Sequence, residues 1–391
     1  MKVRTGAEVL AADGFARLQG LSVGLVTNQT GVLANGTPTA DALRAAAPGV
    51  KLKALFGPEH GVRGDVPAGK YVSGGRDAKT GLPVYSLYGT TKVPTAAMLK
   101  GLDALIFDIQ DIGCRSYTYL STLGCVLEGG ARHKVSVIVL DRPNPLGLTR
   151  VEGGPPERGF VSFISKYATA YRHGLTMGEA AKMINGRGWL PGSLAAELTV
   201  ISCEGLTRDL AGWEALGGLP WVRTSPNVPH PRTPLYYAAT GIVGELPTVS
   251  IGIGTDFPFE VIGAPGVDAV ALVKALEKLP LAGYVFRPQE WTPTKGAHRG
   301  RRCAGVRVEV ADVGRAELCR FNFAAMDALR RAAPDLRLFT ASGPTRMFDY
   351  ACGTDRVRKA YQAGKGEADL WAAFQKNADA FAAARKPYLL Y

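Results

Sequence analysis

The chain has 391 residues, 46% of them hydrophobic and 20% charged, and its 46 Lys and Arg exceed its 34 Asp and Glu to leave a net charge of +12. That length is more than one core comfortably fills and points to two domains, while the lack of any run of 18 apolar residues excludes a membrane-spanning helix. The opening MKVRTGAEVL has no apolar leader core, so the chain reads as cytoplasmic, or as extracytoplasmic (periplasmic or secreted) if a leader has been removed.

The N-terminal part repeats one pattern in chain order. Short apolar runs at 21–26, 52–56, 104–107 and 135–140 each end in a polar loop rich in Gly and Pro. Helical stretches follow at 41–47, 95–100 and 119–129. Runs that are apolar without alternation suit strands buried on both faces. Alternating β and α segments then predict an α/β fold, a mainly parallel sheet with helices on both sides. An amphipathic helix is expected at 176–185 and a long ordered loop at 221–229. After Pro231 the texture changes to Gly-rich apolar runs, a helix at 267–279, a strand at 305–310 and further helices. This places a domain boundary near 233, giving units 1–233 and 234–391.

The four loops that follow the apolar runs carry the chemistry. They contain Asn28, then Glu59, His60 and Arg63, then Asp108, Gln110, Asp111, Arg115 and Tyr117, then Arg142 and Asn144. In open α/β sheets ligands bind beyond the carboxyl ends of the strands. Turn-building accounts for Asn28 or Asn144 singly, but less well for the convergence of carboxylates and arginines. Asn227, on the 221–229 loop, joins the polar set expected to bind substrate.

Several familiar motifs nearly match and fail. Gly64 to Lys70 fits GxxxxGK, but Tyr71 stands where a Mg²⁺-binding Ser or Thr belongs. Ser22 of a GxSxG match begins a strand instead of ending one. Gly252-Ile253-Gly254 lacks the third glycine of a dinucleotide fingerprint. No cofactor is indicated. The five histidines share no ligand spacing and the six cysteines form no CxxC pair, so the cysteines read as small buried hydrophobes and no metal is expected. Basic residues are scattered apart from Arg299, Arg301 and Arg302. Without an aromatic-interleaved basic stripe, nucleic acid is a poor partner, whereas an anionic cell-wall glycan fits the charge.

What remains is carboxylate chemistry. Glycoside hydrolysis uses one carboxyl to protonate the leaving oxygen and usually a second as base or nucleophile. Glu59, on a loop stiffened by Pro and Gly, is the best acid candidate, with His60 as support. Asp108 is expected to orient Arg115, Asp111 is a further catalytic candidate, and Glu152 reads as a turn carboxylate. Glu245, just past the boundary, is expected to face Glu59 across one pocket. A phosphotransfer enzyme built on Asp108 fits poorly, because the spacing to Asp111 is wrong for a DxD pair and no Mg²⁺-binding cluster follows.

Nine stretches resemble one family. They are VGLVTNQTG (23–31), LFGPEHGVRGD (55–65), TGLPVYSLYG (80–89), DIQDIGCRSYTY (108–119), LDRPNPLG (140–147), RHGLTMGEAA (172–181), SPNVPHPRT (225–233), PFEVIGAP (258–265) and RKPYLLY (385–391). Together they resemble the NamZ-type exo-β-N-acetylmuramidases, formerly catalogued as a domain of unknown function. The resemblance implies a Rossmann-like N-terminal domain, a smaller α+β C-terminal domain and a site in the cleft between them. It implies release of terminal N-acetylmuramic acid from peptidoglycan fragments, with Glu59 as the principal catalytic carboxylate. It also implies a sugar site lined by Asp111, Arg115, Tyr117, Arg142 and Asn144. Thr248 and Ile253 stand where the family pattern has Asn and Arg. A non-catalytic cell-wall sugar-binding protein is the alternative.

Overall fold

The computed structural model describes residues 2–46, 48–64, 74–210, 212–340 and 345–391. Ala47, the last residue of one expected helix, lies outside the described residues, as does the near-match to GxxxxGK apart from Gly64.

Seven strands make the first sheet. In chain order they are β1 (Ser22–Thr27), β2 (Lys51–Gly57), β3 (Gly75–Arg76), β4 (Pro83–Ser86), β5 (Ala104–Asp108), β6 (Ser136–Leu140) and β7 (Leu198–Ile201). Their spatial order is β3-β4-β2-β1-β5-β6-β7, parallel except where the short β3 pairs antiparallel with β4. The helices that cover the sheet are α1 (Gly6–Ala12), α2 (Thr39–Ala45), α3 (Ala96–Leu99), α4 (Tyr119–His133) and α5 (Met177–Gly186).

The period-two geometry of a strand sends successive side chains to opposite faces. Val23, Leu25, Ala104 and Ile106 accordingly pack with α1 and α2, while Val26, Leu105 and Phe107 pack with α4 and α5. Both faces of the central strands are thus apolar, which is why these strands show no alternation in sequence. The α/β prediction holds.

The second unit is smaller. Its sheet is antiparallel, in the order β8 (Val261–Ala264), β10 (Cys303–Val310), β9 (Tyr284–Trp291). It carries α6 (Thr233–Thr240), α7 (Ala269–Glu277), α8 (Arg320–Ala332), α9 (Arg346–Cys352), α10 (Arg356–Gln362), α11 (Glu367–Gln375) and α12 (Ala378–Ala384). The two units are not separate bodies of oil. One apolar cluster joins Ile112, Cys114, Leu146 and Tyr171 of the first to α6, α8 and β10 of the second. All six cysteines are buried and unpaired, which fits their reading as small hydrophobes. No described helix is long and apolar enough to cross a membrane.

The last turns of the chain return to the first unit. Phe381 sits in the α4–α5 cluster, with Tyr388 and Leu389 packed against it. Arg385 donates to the carbonyls of His173 and Thr149, each at 2.9 Å. The Tyr391 hydroxyl donates to Asp141 Oδ2 at 2.6 Å and accepts from the Cys203 N–H at 2.8 Å. Asp141 follows β6 directly and also receives Thr176 and the N–H of Gly178 at the start of α5, so this strap is tied to the end of the strand next to the β7 edge. Tyr391→Phe leaves the Cys203 N–H without its acceptor and removes one donor from a buried carboxylate. A loss of ~1–3 kcal/mol is expected, read as a fall of several degrees in thermal melting. An unchanged melting temperature would mean that the strap is not held here.

Candidate active site

The site grows from the carboxyl ends of β2 and β5. β2 ends at Gly57, and Pro58-Glu59-His60-Gly61 turns sharply, with His60 buried at a φ of 73°. This turn turns Glu59 toward the start of α4. Thr118 is the N-cap residue of that helix, and its hydroxyl donates to Glu59 Oε2 at 2.7 Å. The hydroxyl of Tyr88, two residues past β4, is hydrogen-bonded to the same carboxylate, and burial first, then the Glu59 charge and that bond, push Tyr88 up to about 12. Glu59 and Tyr88 are themselves half-buried. Among the described residues, two hydroxyls thus hold the carboxylate of this half-buried glutamate.

Beside Glu59 stands a cluster of tyrosines contributed by both units. Tyr117 meets Tyr119 edge-on at 4.9 Å and Tyr237 of α6 edge-on at 5.8 Å. The Tyr117 hydroxyl donates to Thr224 Oγ1 at 2.8 Å and that of Tyr119 to the Thr224 carbonyl at 2.9 Å. The loop 221–229 is thereby drawn over the strand ends, where Gln29 Nε2 also donates to the carbonyls of Arg223 and Thr224. Burial raises Tyr117 above the usual phenol range, and Asp111 and Glu59 add to the rise. Tyr237 is raised by burial, with Glu245 contributing. Glu59 and Glu245 thus act on adjoining rings of one cluster. Glu245 ends a single 3₁₀ turn, Val243–Glu245, whose first N–H groups are gripped by the buried Asn322 Oδ1 at 3.1 Å. Glu245 is half-buried, and that burial raises its carboxyl.

Asp111 occupies a different environment. It is 5% exposed, its Oδ2 accepts the Gly113 N–H at 2.7 Å, and burial pushes it up to about 7. His173 faces it, with Nε2 3.9 Å from Oδ2. Burial, aided by the charges of Arg385 and Arg115, pushes that imidazole down to about 3, so it is neutral at ordinary pH. Its Nδ1 accepts the Leu175 N–H, which leaves the proton on Nε2. Asp111 and Gln110 line a chamber of ≈10 Å³ closed by Asn144 and Met177. Asp111 Oδ1 and Gln110 Oε1 have no partner within the protein among the described residues. A space of that size holds at most one water, not a sugar.

The arginines are the main departure from expectation. Asp108 does not orient Arg115; it receives Arg142 Nε at 2.6 Å and a second guanidinium nitrogen at 3.0 Å. Arg115, 1% exposed, spends its donors on Ser165 Oγ and the carbonyls of Gly154, Thr169 and Ala351. Arg63 forms a two-pronged pair with Asp77 at 2.9 and 2.8 Å. Arg115 and Arg142 are thus buried and engaged within the protein, and Arg63, a third exposed, is paired with Asp77. Asn144 likewise builds its own loop, accepting from the Leu146 N–H and donating to the Leu175 carbonyl. Next to it Gly113 is required, because its φ is 84° and a Cβ there would stand 2.2 Å from Asn144 Oδ1. Glu152 is no mere turn residue. It is a buried partner of Arg172 at 2.5 Å and accepts the Cys319 N–H at 2.6 Å, linking the two units. Asn227 is half-buried on its loop.

A cavity of ≈370 Å³ opens beside Asn28, Gln29 and Arg63, walled by Ala40, Leu55 and Val62. The Asn28 side chain is hydrogen-bonded to Tyr119, and Gln29 reaches across the cavity to the carbonyls of Arg223 and Thr224. The cavity's apolar wall belongs to the α2 face of the sheet, whereas Glu59 bonds to the first turn of α4 on the opposite face, so Glu59 does not line it. Sequence reading missed Tyr88, Thr118, Thr224 and Tyr237. The Tyr117-Thr118-Tyr119 run at a strand end was the available signal for Thr118; Thr224 and Tyr237 join only through the fold.

Comparison with known proteins agrees with this architecture. Residues 23–232 match the N-terminal domain, and 235–391 the C-terminal domain, of the family described as exo-beta-N-acetylmuramidase NamZ. The chain is 38% identical over 390 residues to the peptidoglycan beta-N-acetylmuramidase NamZ of Bacillus subtilis strain 168, covering all of this chain and 92% of that one. Crystal structures of two DUF1343 family proteins from Bacteroides fragilis NCTC 9343 superimpose with TM-scores of 0.93 and 0.79, at 40% and 29% identity. Each comparison covers all of this chain and 99% of the other.

The buried acid gives a pH test. A carboxyl raised from its ordinary value to about 7 keeps its proton in the folded chain while the unfolded chain loses it near pH 4. Its contribution therefore falls as pH rises through that window and reaches its full cost above about pH 7. Asp111→Asn removes the ionisation. The variant should gain stability relative to the parent between pH 5 and pH 8, by on the order of a few kcal/mol. A pH-independent difference in melting would contradict the burial argument.

Proposed function

The chain belongs to the exo-β-N-acetylmuramidase NamZ family, and from that premise we propose that it hydrolyses the bond joining a terminal β-linked N-acetylmuramic acid to a peptidoglycan fragment. The observation that carries this reading is the placement of Glu59. Two hydroxyls orient it just past the end of β2, the residue is only half-buried, and a second carboxyl acts on the same tyrosine cluster. Hydrolysis of a glycoside asks for such a pair.

The division of labour follows from environment. Burial favours the neutral form of a carboxyl and raises that of Glu245, so we assign to Glu245, in place of Glu59 as the sequence suggests, the role of acid toward the leaving oxygen. Glu59 then faces the anomeric carbon, acting on it directly or through a water. Tyr117 and Tyr237 form an amphipathic wall between them, apolar on the ring and polar at the hydroxyl, which suits a sugar. Asp111 sits behind the strand ends on a chamber of water size, so it acts by holding the 108–117 loop and not by touching substrate. Asn28 and Gln29 line the larger cavity and are secondary candidates for contacts with a longer glycan.

A chromogenic aryl β-N-acetylmuramide tests the reading. The parent should release the aryl group, and Glu59→Gln should slow release by about 10²- to 10⁴-fold with melting unchanged. Retention of more than half of kcat in a folded variant would remove Glu59 from the chemistry. Tight binding with no release by the parent would make the protein a carbohydrate-binding one instead.

A further inference from the structure

A muramic acid residue carries a lactyl carboxylate that a glucosamine residue lacks, and discriminating the two calls for a placed cation. The three arginines nearest the strand ends are already paired, Arg63 with Asp77, Arg142 with Asp108 and Arg115 with buried carbonyls, and Arg63, the one that stays partly exposed, opens on the α2-side cavity that Glu59 does not line. A guanidinium whose donors are committed in the protein offers little to an incoming carboxylate. The cation must come from elsewhere on the rim of Glu59.

Among the described residues, one side chain there meets the requirement. Lys92 lies on the loop between β4 and α3 and is half-buried. Its Nζ stands 5.0 Å from the ring centroid of Phe163. It forms no ion pair or hydrogen bond among the described residues. The Phe163 ring is 6.2 Å from that of Tyr88, and the Tyr88 hydroxyl bonds to Glu59. The neighbouring Lys166 is less available, since it pairs with Glu128 at 4.0 Å. Lys92, Phe163, Tyr88 and Glu59 therefore form one continuous rim: a cation, an apolar ring face, a hydroxyl and the reacting carboxylate.

Resting on the glycosidase reading above, we propose that Lys92 is the specificity-determining residue that pairs with the lactyl carboxylate, with Phe163 and Tyr88 supporting the sugar between it and Glu59. An ammonium on a flexible four-carbon stem can swing from the ring face to a bound anion. The aromatic contact keeps it on the rim in the free protein without neutralising its charge. The pairing adds a charge-assisted hydrogen bond to the acid form of the sugar and nothing to its neutral ester.

Calorimetric binding of N-acetylmuramic acid and of its lactyl methyl ester separates this proposal from the catalytic one, because binding needs no turnover. The parent should bind the acid at least tenfold more tightly than the ester. Lys92→Met should abolish that ratio by weakening the acid alone, and Lys92→Arg should restore most of it. Lys92→Met breaks no ion pair, so folding is preserved. Arg223→Met, at an exposed cation on the 221–229 loop, serves as the control and should leave the ratio intact. A ratio unchanged in Lys92→Met, or one lost in Arg223→Met instead, would overturn the assignment. Failure of the parent to cleave the aryl muramide would sink the glycosidase reading while leaving this binding result to be judged separately.

Discussion

The buried pair between Asp108 and Arg142 is the constraint on which the strand ends depend. Asp108 is fully buried at the end of β5 and receives both Arg142, from the loop after β6, and the Thr39 hydroxyl at the start of α2. Its backbone carbonyl accepts from Thr27 at the end of β1. One residue, through its carboxylate and its backbone carbonyl, thus gathers the ends of three strands and one helix. Such a pair contributes little net stability compared with apolar packing, but losing one partner leaves an uncompensated charge. Its effect is to fix geometry, and the fixed geometry holds Asn28, Gln110 and Asp111 in their places around it.

The same constraint redistributes chemistry. An arginine committed to the frame is withdrawn from ligand binding, and the polar rim must then be completed by other residues. Tyrosine hydroxyls do much of that work around Glu59, and they come from both units. Because Ile112, Cys114 and Tyr171 share a core with α6 and α8, the Tyr117–Tyr237 contact is set by packing and not by a loose hinge. The Glu152 link to Cys319 and the Arg115 link to Ala351 reinforce that joint with buried hydrogen bonds.

Much of this was legible in the sequence, and the failures have physical causes. β5 and β6 were found because burial on both faces makes a continuous apolar run. β9 was not, because its residues are mostly half-buried or exposed and Pro288 interrupts them; only pairing with β10 along its whole length makes it a strand. Glu59 was singled out by its rigid loop at a strand end. The arginines were misjudged because sequence displays a charge but not its partner, which for Arg142 lies 34 residues away. Tyr237 was invisible for the same reason, since its neighbour Tyr117 belongs to the other unit. Asp108 and Arg115, close in sequence, simply point to different partners.

The central claim is that chemistry occurs at the Glu59 rim on the α4 side of the sheet, although a larger cavity lies on the α2 side. A crystal structure with N-acetylmuramic acid bound decides between them directly. The account predicts the sugar ring against Tyr88 and Tyr117, with its anomeric oxygen in hydrogen-bonding reach of Glu59. A sugar lodged instead in the ≈370 Å³ cavity beside Asn28, Gln29 and Arg63, with Glu59 untouched, would contradict it.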